Sequence, residues 1–206
     1  MEKQKEERKK KTLMWEILEW FLTILAAAAI ALPVRAFAFE LVRVDGASMN
    51  RTLASGEIMF VTKFDYATTW LMLPWQDAEA KEKAARITTG GNPRRFDVVI
   101  CRYRGRGGTN FVKRVVGLPG ETVELRDGYL YIDGEKADEP YISDEYRKGG
   151  RNSFGPVTVP EGEYFVLGDH RNNSNDSRSQ GTISRDMIIG HARTVLFPFG
   201  RIRGIE

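Results

Sequence analysis

The sequence predicts a mainly β protein, in which one apolar N-terminal helix precedes an antiparallel β-sheet domain. Two observations lead to this fold class. Beyond residue 40, short runs rich in Val, Ile, Tyr and Phe alternate with turns rich in Gly, Pro and Asp, without the βαβ alternation of parallel sheets. Before residue 40, the chain carries one long apolar stretch. The 206 residues suffice for one domain of ordinary size.

Residues 1–12 form a basic tail with six basic and three acidic side chains, whereas the whole chain has 31 and 28. The rest of the chain is therefore neutral, and the net charge of +3 comes from the tail. A neutral body argues against a nucleic-acid-binding surface, and we expect no nucleic-acid partner.

Residues 13–39 are predicted to be a transmembrane anchor. The most apolar part, Trp20–Val34, is too short to cross a bilayer, but the flanking residues extend it to a sufficient length. Glu16, Glu19 and Arg35 lie near the ends, where charged side chains can reach the interface. The basic tail predicts a cytoplasmic N-terminus, so residues 40–206 would form an extracytoplasmic domain.

Two alternatives to the anchor remain open. A cleaved signal peptide has the same order of basic and apolar residues, and Ala36-Phe37-Ala38 resembles its cleavage site. A buried helix of a soluble protein is the other alternative, although the charged tail fits it poorly. The anchor and the signal peptide both place the β domain outside the cytoplasm.

The β domain is expected to contain eight short strands. A hairpin is predicted at Arg126-Asp127-Gly128, and residues 124–160 are expected to form a smaller inserted β subdomain. The predicted strands are Glu40–Asp45, Glu57–Lys63, Val98–Tyr103, Asn110–Val116, Thr122–Leu125, Tyr129–Ile132, Tyr164–Leu167 and Arg193–Phe197.

Residues 64–95 have the least regular pattern. Trp70–Trp75 is a hydrophobic segment that either dips into the membrane interface or covers the core, and the sequence leaves both open. Gln76–Ile87 is predicted to be a short helix and Thr88–Arg95 a loop.

Lys113 is a candidate catalytic base. It lies in a strand-forming run where alternation places it on the same face as Phe111 and Val115. Burial between apolar neighbours lowers the pKa of a lysine and makes it a base. The alternative is a lysine that extends from a half-buried strand to solvent.

Two further segments carry chemistry. Ser48 follows small residues at the end of a predicted strand, where a nucleophile is accessible, although ordinary turns have the same composition. Gly168–Arg178 has no large apolar side chain and is rich in Asp, Asn and Arg, which favours a fixed charge network over a solvated loop.

Metal and disulfide chemistry have little support. Cys101 is the single cysteine, so no intrachain disulfide can form. The two histidines, His170 and His191, are too few for a convincing zinc site. We expect no metal and no organic cofactor.

Taken together, these segments resemble bacterial type I signal peptidases, membrane-bound Ser/Lys proteases that remove signal peptides. The resemblance covers about Val42 to Phe199. It rests most specifically on KRVVGLPGE at residues 113–121 and GDHRNNSNDSR at 168–178. The matching segments before them are Ser48-Met49 with Thr52-Leu53, and Phe96–Val99.

The resemblance implies a role for each matching residue. Ser48 would be the nucleophile and Lys113 the general base, with the Ser48 backbone N–H stabilising the oxyanion. Met49 would line the site and Ser174 would orient the lysine. An ion-pair network that holds the loop against the catalytic strand would consist of Asp176, Arg114 and Arg178.

The resemblance also implies the partners. The substrates would be exported preproteins, bound in extended form along a strand edge and cut after Ala-X-Ala-like sites. The enzyme would contact membrane lipid and act as a monomer.

The chain departs from the family pattern at several positions. Arg51 stands where proline is usual, Gly46 where some members have a serine hydroxyl, and His170 where asparagine is common. Residues 70–95 are longer than usual.

Three other functions compete with this prediction. An Asp169-His170-Ser48 triad is chemically conceivable. A self-cleaving Ser/Lys repressor would need a helix-turn-helix that the sequence lacks. A membrane-anchored, non-catalytic β binding module is the main alternative function.

Overall fold

The computed structural model describes residues 2–70, 86–106, 109–147 and 153–205. The chain divides into two compact units, Met1–Ala38 and Phe39–Glu206. The first unit contains helix α1, Glu2–Phe37. Within it, Met14–Val34 is long and apolar enough to cross a membrane, and none of this stretch is buried in the protein.

The second unit is mainly β, as the sequence predicts. In the part of this unit that the structure describes, two short α-helices lie between the strands, α2 (Asp144–Arg147) and α3 (Ser177–Gln180). The strands are β1 (Phe39–Arg43), β2 (Ile58–Thr62), β3 (Tyr66–Trp70), β4 (Arg86–Gly90), β5 (Val98–Cys101), β6 (Phe111–Gly117), β7 (Thr122–Arg126), β8 (Tyr129–Ile132), β9 (Glu135–Lys136), β10 (Phe154–Thr158), β11 (Glu163–Leu167), β12 (Ile183–Ser184), β13 (Ile188–Phe197) and β14 (Arg203–Gly204).

The largest sheet places the predicted lysine strand at its centre. Its strand order is β1-β2-β13-β5-β6-β11-β12, with β14 added to β13, and all described pairs are antiparallel. Strand β6 lies between β5 and β11, where Lys113 is opposite Val99 and Arg114 is opposite Leu167. Strand β6 therefore has a partner on each side and no free edge.

Two smaller sheets complete the described part of the unit. Strands β10-β7-β8-β9 form one of them, in the region expected to be a β subdomain. The hairpin predicted at Arg126-Asp127-Gly128 joins β7 to β8, with positive φ at Asp127 and Gly128. Strands β3 and β4 form the third sheet.

The core consists of apolar side chains buried between these sheets. The turn that carries Ser48 contributes Met49 and Leu53 to the same cluster as Met59 of β2. The thiol of Cys101 on β5 lies in a second cluster and is fully buried, and burial raises its pKa to about 12. A third cluster joins the β7-β8 hairpin to Phe165 of β11.

The structure corrects several predicted boundaries. Arg86–Gly90 is a strand, although the sequence analysis predicts a helix up to Ile87 and a loop from Thr88. The β-branched residues before Gly90 pair with β3, and this tertiary pairing outweighs the turn-forming glycines that follow. Strand β13 is longer than predicted because it continues N-terminally through Gly190 to pair with β5. Most of Trp70–Trp75 and of the predicted helix lies outside the described residues.

We expect Gly190→Ala to destabilise the domain. A Cβ at this position would lie 2.7 Å from Val61 Cγ1 and 2.8 Å from the Thr62 carbonyl oxygen. The backbone cannot move aside cheaply, so the cost should be about 1–3 kcal/mol, as for other overpacked sites. Thermal unfolding would measure it, with Gly200→Ala as the control because nothing lies within 4 Å of a Cβ there. Equal melting temperatures for the two variants would contradict the close packing of β13 on β2.

Candidate active site

Ser48 lies in a tight turn between β1 and β2. The turn is closed by hydrogen bonds from the Asn50 N–H to the Ala47 carbonyl (3.0 Å) and from the Leu53 N–H to the Met49 carbonyl (2.7 Å). Met49 is only 2% exposed, so its side chain anchors the turn in the core beside the serine. Ser48 itself is half-buried, which leaves its hydroxyl within reach of a ligand.

Lys113 on β6 contacts the Ser48 hydroxyl. Its Nζ lies 2.8 Å from Ser48 Oγ and 3.0 Å from the Val112 carbonyl oxygen. The lysine is only 2% exposed, so it is buried and does not extend from the strand to solvent. Two residues that are 65 positions apart in the chain thus share a hydrogen bond.

Burial lowers the pKa of the Lys113 amine. The charges of Asp176 and Asp169 act in the opposite direction, but loss of hydration prevails. A neutral amine can donate to the Val112 carbonyl and accept the proton of Ser48. The pair therefore has the geometry and the proton affinity that activation of a serine nucleophile requires.

Arg114, the next residue on β6, ties the strand to the 168–178 loop on the opposite side from Lys113. Its guanidinium donates to both carboxylate oxygens of Asp169, over 2.9 and 2.8 Å. It also donates to the Phe96 carbonyl. Asp169 in turn accepts a hydrogen bond from the Thr52 hydroxyl, in the turn that carries Ser48. Arg114 and Asp169 therefore connect the two segments that carry Ser48 and Lys113.

The predicted ion-pair network is divided into two separate pairs in the structure. Arg114 binds Asp169 rather than Asp176, whereas Asp176 binds Arg178 over 2.8 and 2.9 Å. Asp176 also caps helix α3 and accepts from the Gly168 N–H, so its oxygens are used locally. Burial raises the pKa of Asp176, but these donors outweigh it and the net pKa is lowered.

Ser174 lies next to the dyad region but does not form the hydrogen bond to Lys113 that the resemblance implies. Its buried Oγ makes no hydrogen bond of good geometry to any described residue, although it lies close enough to Asp176 to help lower the pKa of that carboxyl. The loop is packed closely here, because a Cβ on Gly168 would lie 2.2 Å from Ser174 Oγ and 2.5 Å from the Ser48 carbonyl oxygen. Glycine at 168 is therefore required for the loop to approach the serine turn.

His170 is close to Ser48 through its backbone rather than its ring. The His170 N–H donates to the Ser48 carbonyl over 3.0 Å, while ring Nδ1 lies 3.1 Å from the Ala47 carbonyl oxygen. Asp169 is bound to Arg114 and Thr52, so it does not orient the imidazole. The described contacts do not assemble an Asp169-His170-Ser48 triad.

Sequence reasoning assigned no role to Asp169 outside the triad, and none to Thr52 or Arg171. The high content of Asp and Arg in the 168–178 loop indicated a charge network, to which Asp169 and Arg171 could belong. Thr52 had no signal beyond its place in a matching segment.

Comparisons with known proteins match this chain to one family. The family model described as "Signal peptidase, peptidase S26" matches residues 17–197. A Bacillus licheniformis protein named signal peptidase I is 37% identical over 98% of each chain. Signal peptidase I T of Bacillus subtilis is 39% identical over 95% of this chain and 92% of its own. The crystal structure of a signal peptidase I from Enterococcus faecalis shares 38% identity, with a TM-score of 0.42, and covers 49% of this chain and 97% of its own.

The family model matches most of the chain, and the two Bacillus relatives align with it over nearly its full length. The chain belongs to the signal peptidase family, peptidase S26. It is a serine endopeptidase, as the sequence analysis expected.

We expect Lys113→Met to raise the free energy of unfolding at neutral pH, because it removes a buried amine. The unfolded chain holds the lysine proton up to about pH 10.4, whereas the folded chain releases it at lower pH. The free energy of unfolding of the wild type therefore rises with pH between the folded-state and unfolded-state pKa values of Lys113. Over this range, the difference in stability between Lys113→Met and the wild type becomes smaller.

Denaturant unfolding at about pH 7 and about pH 10 would measure this effect, with the exposed Lys136→Met as the control. An advantage of Lys113→Met that grows with pH would contradict the lowered pKa.

Arg51 gives a second prediction, because its φ of 83° lies in the left-handed region that proline cannot adopt. Arg51→Pro, the residue usual in the family, should destabilise the turn by more than about 1 kcal/mol and lower activity. Arg51→Gly should keep activity, since glycine adopts this conformation freely. Thermal unfolding and peptide cleavage would test both, and a fully active, stable Arg51→Pro would show that the turn has another conformation.

Proposed function

We propose that this enzyme cleaves signal peptides from exported preproteins with a Ser/Lys dyad, in which Ser48 is the nucleophile and Lys113 the general base. The observation that carries the proposal is the 2.8 Å separation between Ser48 Oγ and a lysine amine that is almost fully buried. Family membership supports the substrate class, since the relatives are named signal peptidase I.

The chemistry follows from the protonation of Lys113. The neutral amine accepts the Ser48 proton as Oγ attacks the scissile carbonyl, and the lysine then protonates the leaving amine. A water molecule, activated by the same amine, hydrolyses the acyl-enzyme. The Ser48 N–H is proposed to stabilise the oxyanion, and Gly46 has no side chain that could add a second donor.

The remaining predicted residues are proposed to support this dyad. Arg114 acts through Asp169 and Thr52, and thereby fixes the serine turn relative to β6. The Asp176–Arg178 pair fixes the end of the loop. Ser174 is proposed to orient the lysine amine once substrate is bound, and Met49 to support the floor of the site.

The substrate is proposed to bind in extended form, with small residues such as Ala at the first and third positions before the cut. An extended peptide gains main-chain hydrogen bonds from a strand, and pockets then read alternate side chains. The family resemblance, rather than any described pocket, supports the Ala-X-Ala preference.

Helix α1 is proposed to anchor the enzyme in the bacterial cell membrane as a single span. Its apolar stretch, Met14–Val34, has sufficient length. The basic residues before it favour a cytoplasmic N-terminus and an extracytoplasmic catalytic domain. In this arrangement the enzyme would meet preproteins at the lipid surface, as a monomer. Protease protection of the intact chain in oriented vesicles would test the orientation.

Loss of the dyad should abolish cleavage. We expect Ser48→Ala and Lys113→Ala each to lower kcat by about 10³-fold or more, as removal of a nucleophile or its base does in serine proteases. The assay would use a precursor whose signal ends in Ala-X-Ala, with enzyme in detergent or liposomes and folding checked by thermal melting. Ser153→Ala and Lys136→Ala are matched controls at exposed positions.

Undiminished cleavage by Lys113→Ala would identify a different base, with His170 as the next candidate. Absence of cleavage by the wild type would favour the non-catalytic binding module.

The pH dependence should follow the lysine. Because only the neutral amine acts as a base, kcat should rise with pH through the lowered pKa of Lys113 and favour neutral to alkaline conditions. Single-turnover rates across a pH series would measure this limb. An activity maximum near pH 5, which is typical of a carboxylate base, would contradict the assignment.

A further inference from the structure

A buried carboxylate outside the sequence motifs connects the segment that follows the β10-β7-β8-β9 sheet to the 168–178 loop. Glu139 lies between β9 and α2 and is only 2% exposed. Its carboxylate accepts hydrogen bonds from Arg147 of α2 over 3.0 Å and from both terminal nitrogens of Arg171. Arg171 belongs to the 168–178 loop, so one carboxylate joins two segments that are 32 residues apart.

The segment around Glu139, residues 139–147, makes two further contacts with the site. The Tyr141 hydroxyl donates to Glu139 over 2.8 Å, while its ring lies 3.8 Å from the guanidinium carbon of Arg114. The Tyr146 ring packs edge-on against His170, with centroids 4.5 Å apart. Both contacted residues are already bound to the catalytic elements, Arg114 by its place next to Lys113 and His170 by its hydrogen bond to Ser48.

The charge arrangement makes Glu139 essential to these contacts. Arg147 and Arg171 are both buried, and Glu139 is the carboxylate that neutralises Arg171 among the described ion pairs. Without this carboxylate the two buried guanidinium groups would repel each other, and Arg171 would lose its described hydrogen-bond acceptor, whereas Arg147 would keep the Glu139 backbone carbonyl. The loop would then lose one of its ties, while Asp169 still binds Arg114 and the His170 N–H still binds the Ser48 carbonyl.

We propose that Glu139 is a positioning residue for catalysis, which holds the 168–178 loop through Arg171 and thereby sets the distance between Ser48 and Lys113. The inference rests on the proposed Ser/Lys function and deepens it. Glu139 does not touch the reacting atoms. It acts through Arg171, through Tyr141 on Arg114, and through the loop residue His170 that binds the Ser48 carbonyl.

The test compares Glu139→Gln with Glu124→Gln in the full-length enzyme. Glu124 is a matched control, because it also pairs with an arginine in the same sheet region but on the surface, where Arg126 is about half exposed. With an Ala-X-Ala precursor, we expect Glu139→Gln to lower kcat by about 10-fold to 100-fold with little change in KM, since small displacements of catalytic groups have such effects. Glu124→Gln should keep both constants.

The pH profile separates positioning from simple loss of stability. If the loop moves, Lys113 becomes less buried, its pKa rises towards the ordinary value, and the acid limb of kcat moves to higher pH. A variant that is only less stable would keep the wild-type limb at temperatures well below its melting point. Unchanged kcat and an unchanged limb for Glu139→Gln would overturn the proposal.

A double variant covers the case in which Glu139→Gln does not fold. Glu139→Gln with Arg171→Met removes one charge of each sign, so the buried cluster keeps its wild-type net charge. We expect its melting temperature to recover while kcat stays low, because the tie to the loop is still missing. A double variant with wild-type kcat would overturn the positioning role.

Lys113→Ala in the same assay separates this proposal from the proposed function. If Lys113→Ala retains wild-type cleavage, the Ser/Lys assignment fails whatever Glu139 does. If Lys113→Ala is inactive while Glu139→Gln matches the wild type, only the positioning role of Glu139 fails.

Discussion

The burial of Lys113 is the constraint on which the rest of the site depends. A lysine exposed to water would be protonated and useless as a base, so the amine must lie away from solvent. Strand β6 achieves this because it is hydrogen-bonded on both edges, by β5 and β11, and because apolar neighbours share the face of the lysine. The turn that carries Ser48 then reaches the amine through the serine hydroxyl, 2.8 Å away. The position of β6 inside the sheet therefore controls the pKa of the Lys113 amine.

Two adjacent basic residues on β6 have different surroundings. Lys113 and Arg114 point to opposite faces of the strand, and both are buried. Arg114 has the Asp169 carboxylate at 2.8 Å and remains charged, as arginine always does. Among the described ion pairs, none joins Lys113 to a carboxylate, and only a hydroxyl and a carbonyl accept from its amine. One face of the strand therefore supplies a fixed charge that organises the loops, and the other supplies the amine that is proposed to act as the base.

The sequence predicted features that depend on a single strand. It did not predict contacts that depend on how distant loops fold against each other. The alternation around Lys113 placed it on the face of Phe111 and Val115, because period-two patterning is a property of the strand itself, but it left an amine extending to solvent as the alternative. The contact of Lys113 with Ser48 joins distant positions and was anticipated only through the family resemblance. The partner of Arg114 was wrong, because Asp176 is engaged in capping α3, a choice that depends on backbone direction. Glu139 gave no signal, since an acidic residue in an aperiodic segment is usually exposed.

The single thiol of the chain has a practical consequence. Cys101 is fully buried beneath the central strands, and its pKa of about 12 keeps it protonated. Thiol-reactive reagents need an accessible thiolate, so the native cysteine should be inert towards them in the folded enzyme. A cysteine introduced at a surface position would then be the one reactive thiol. Fluorescent or spin labels can therefore be attached at chosen sites without first removing the native residue, whose replacement would disturb the packing next to Lys113.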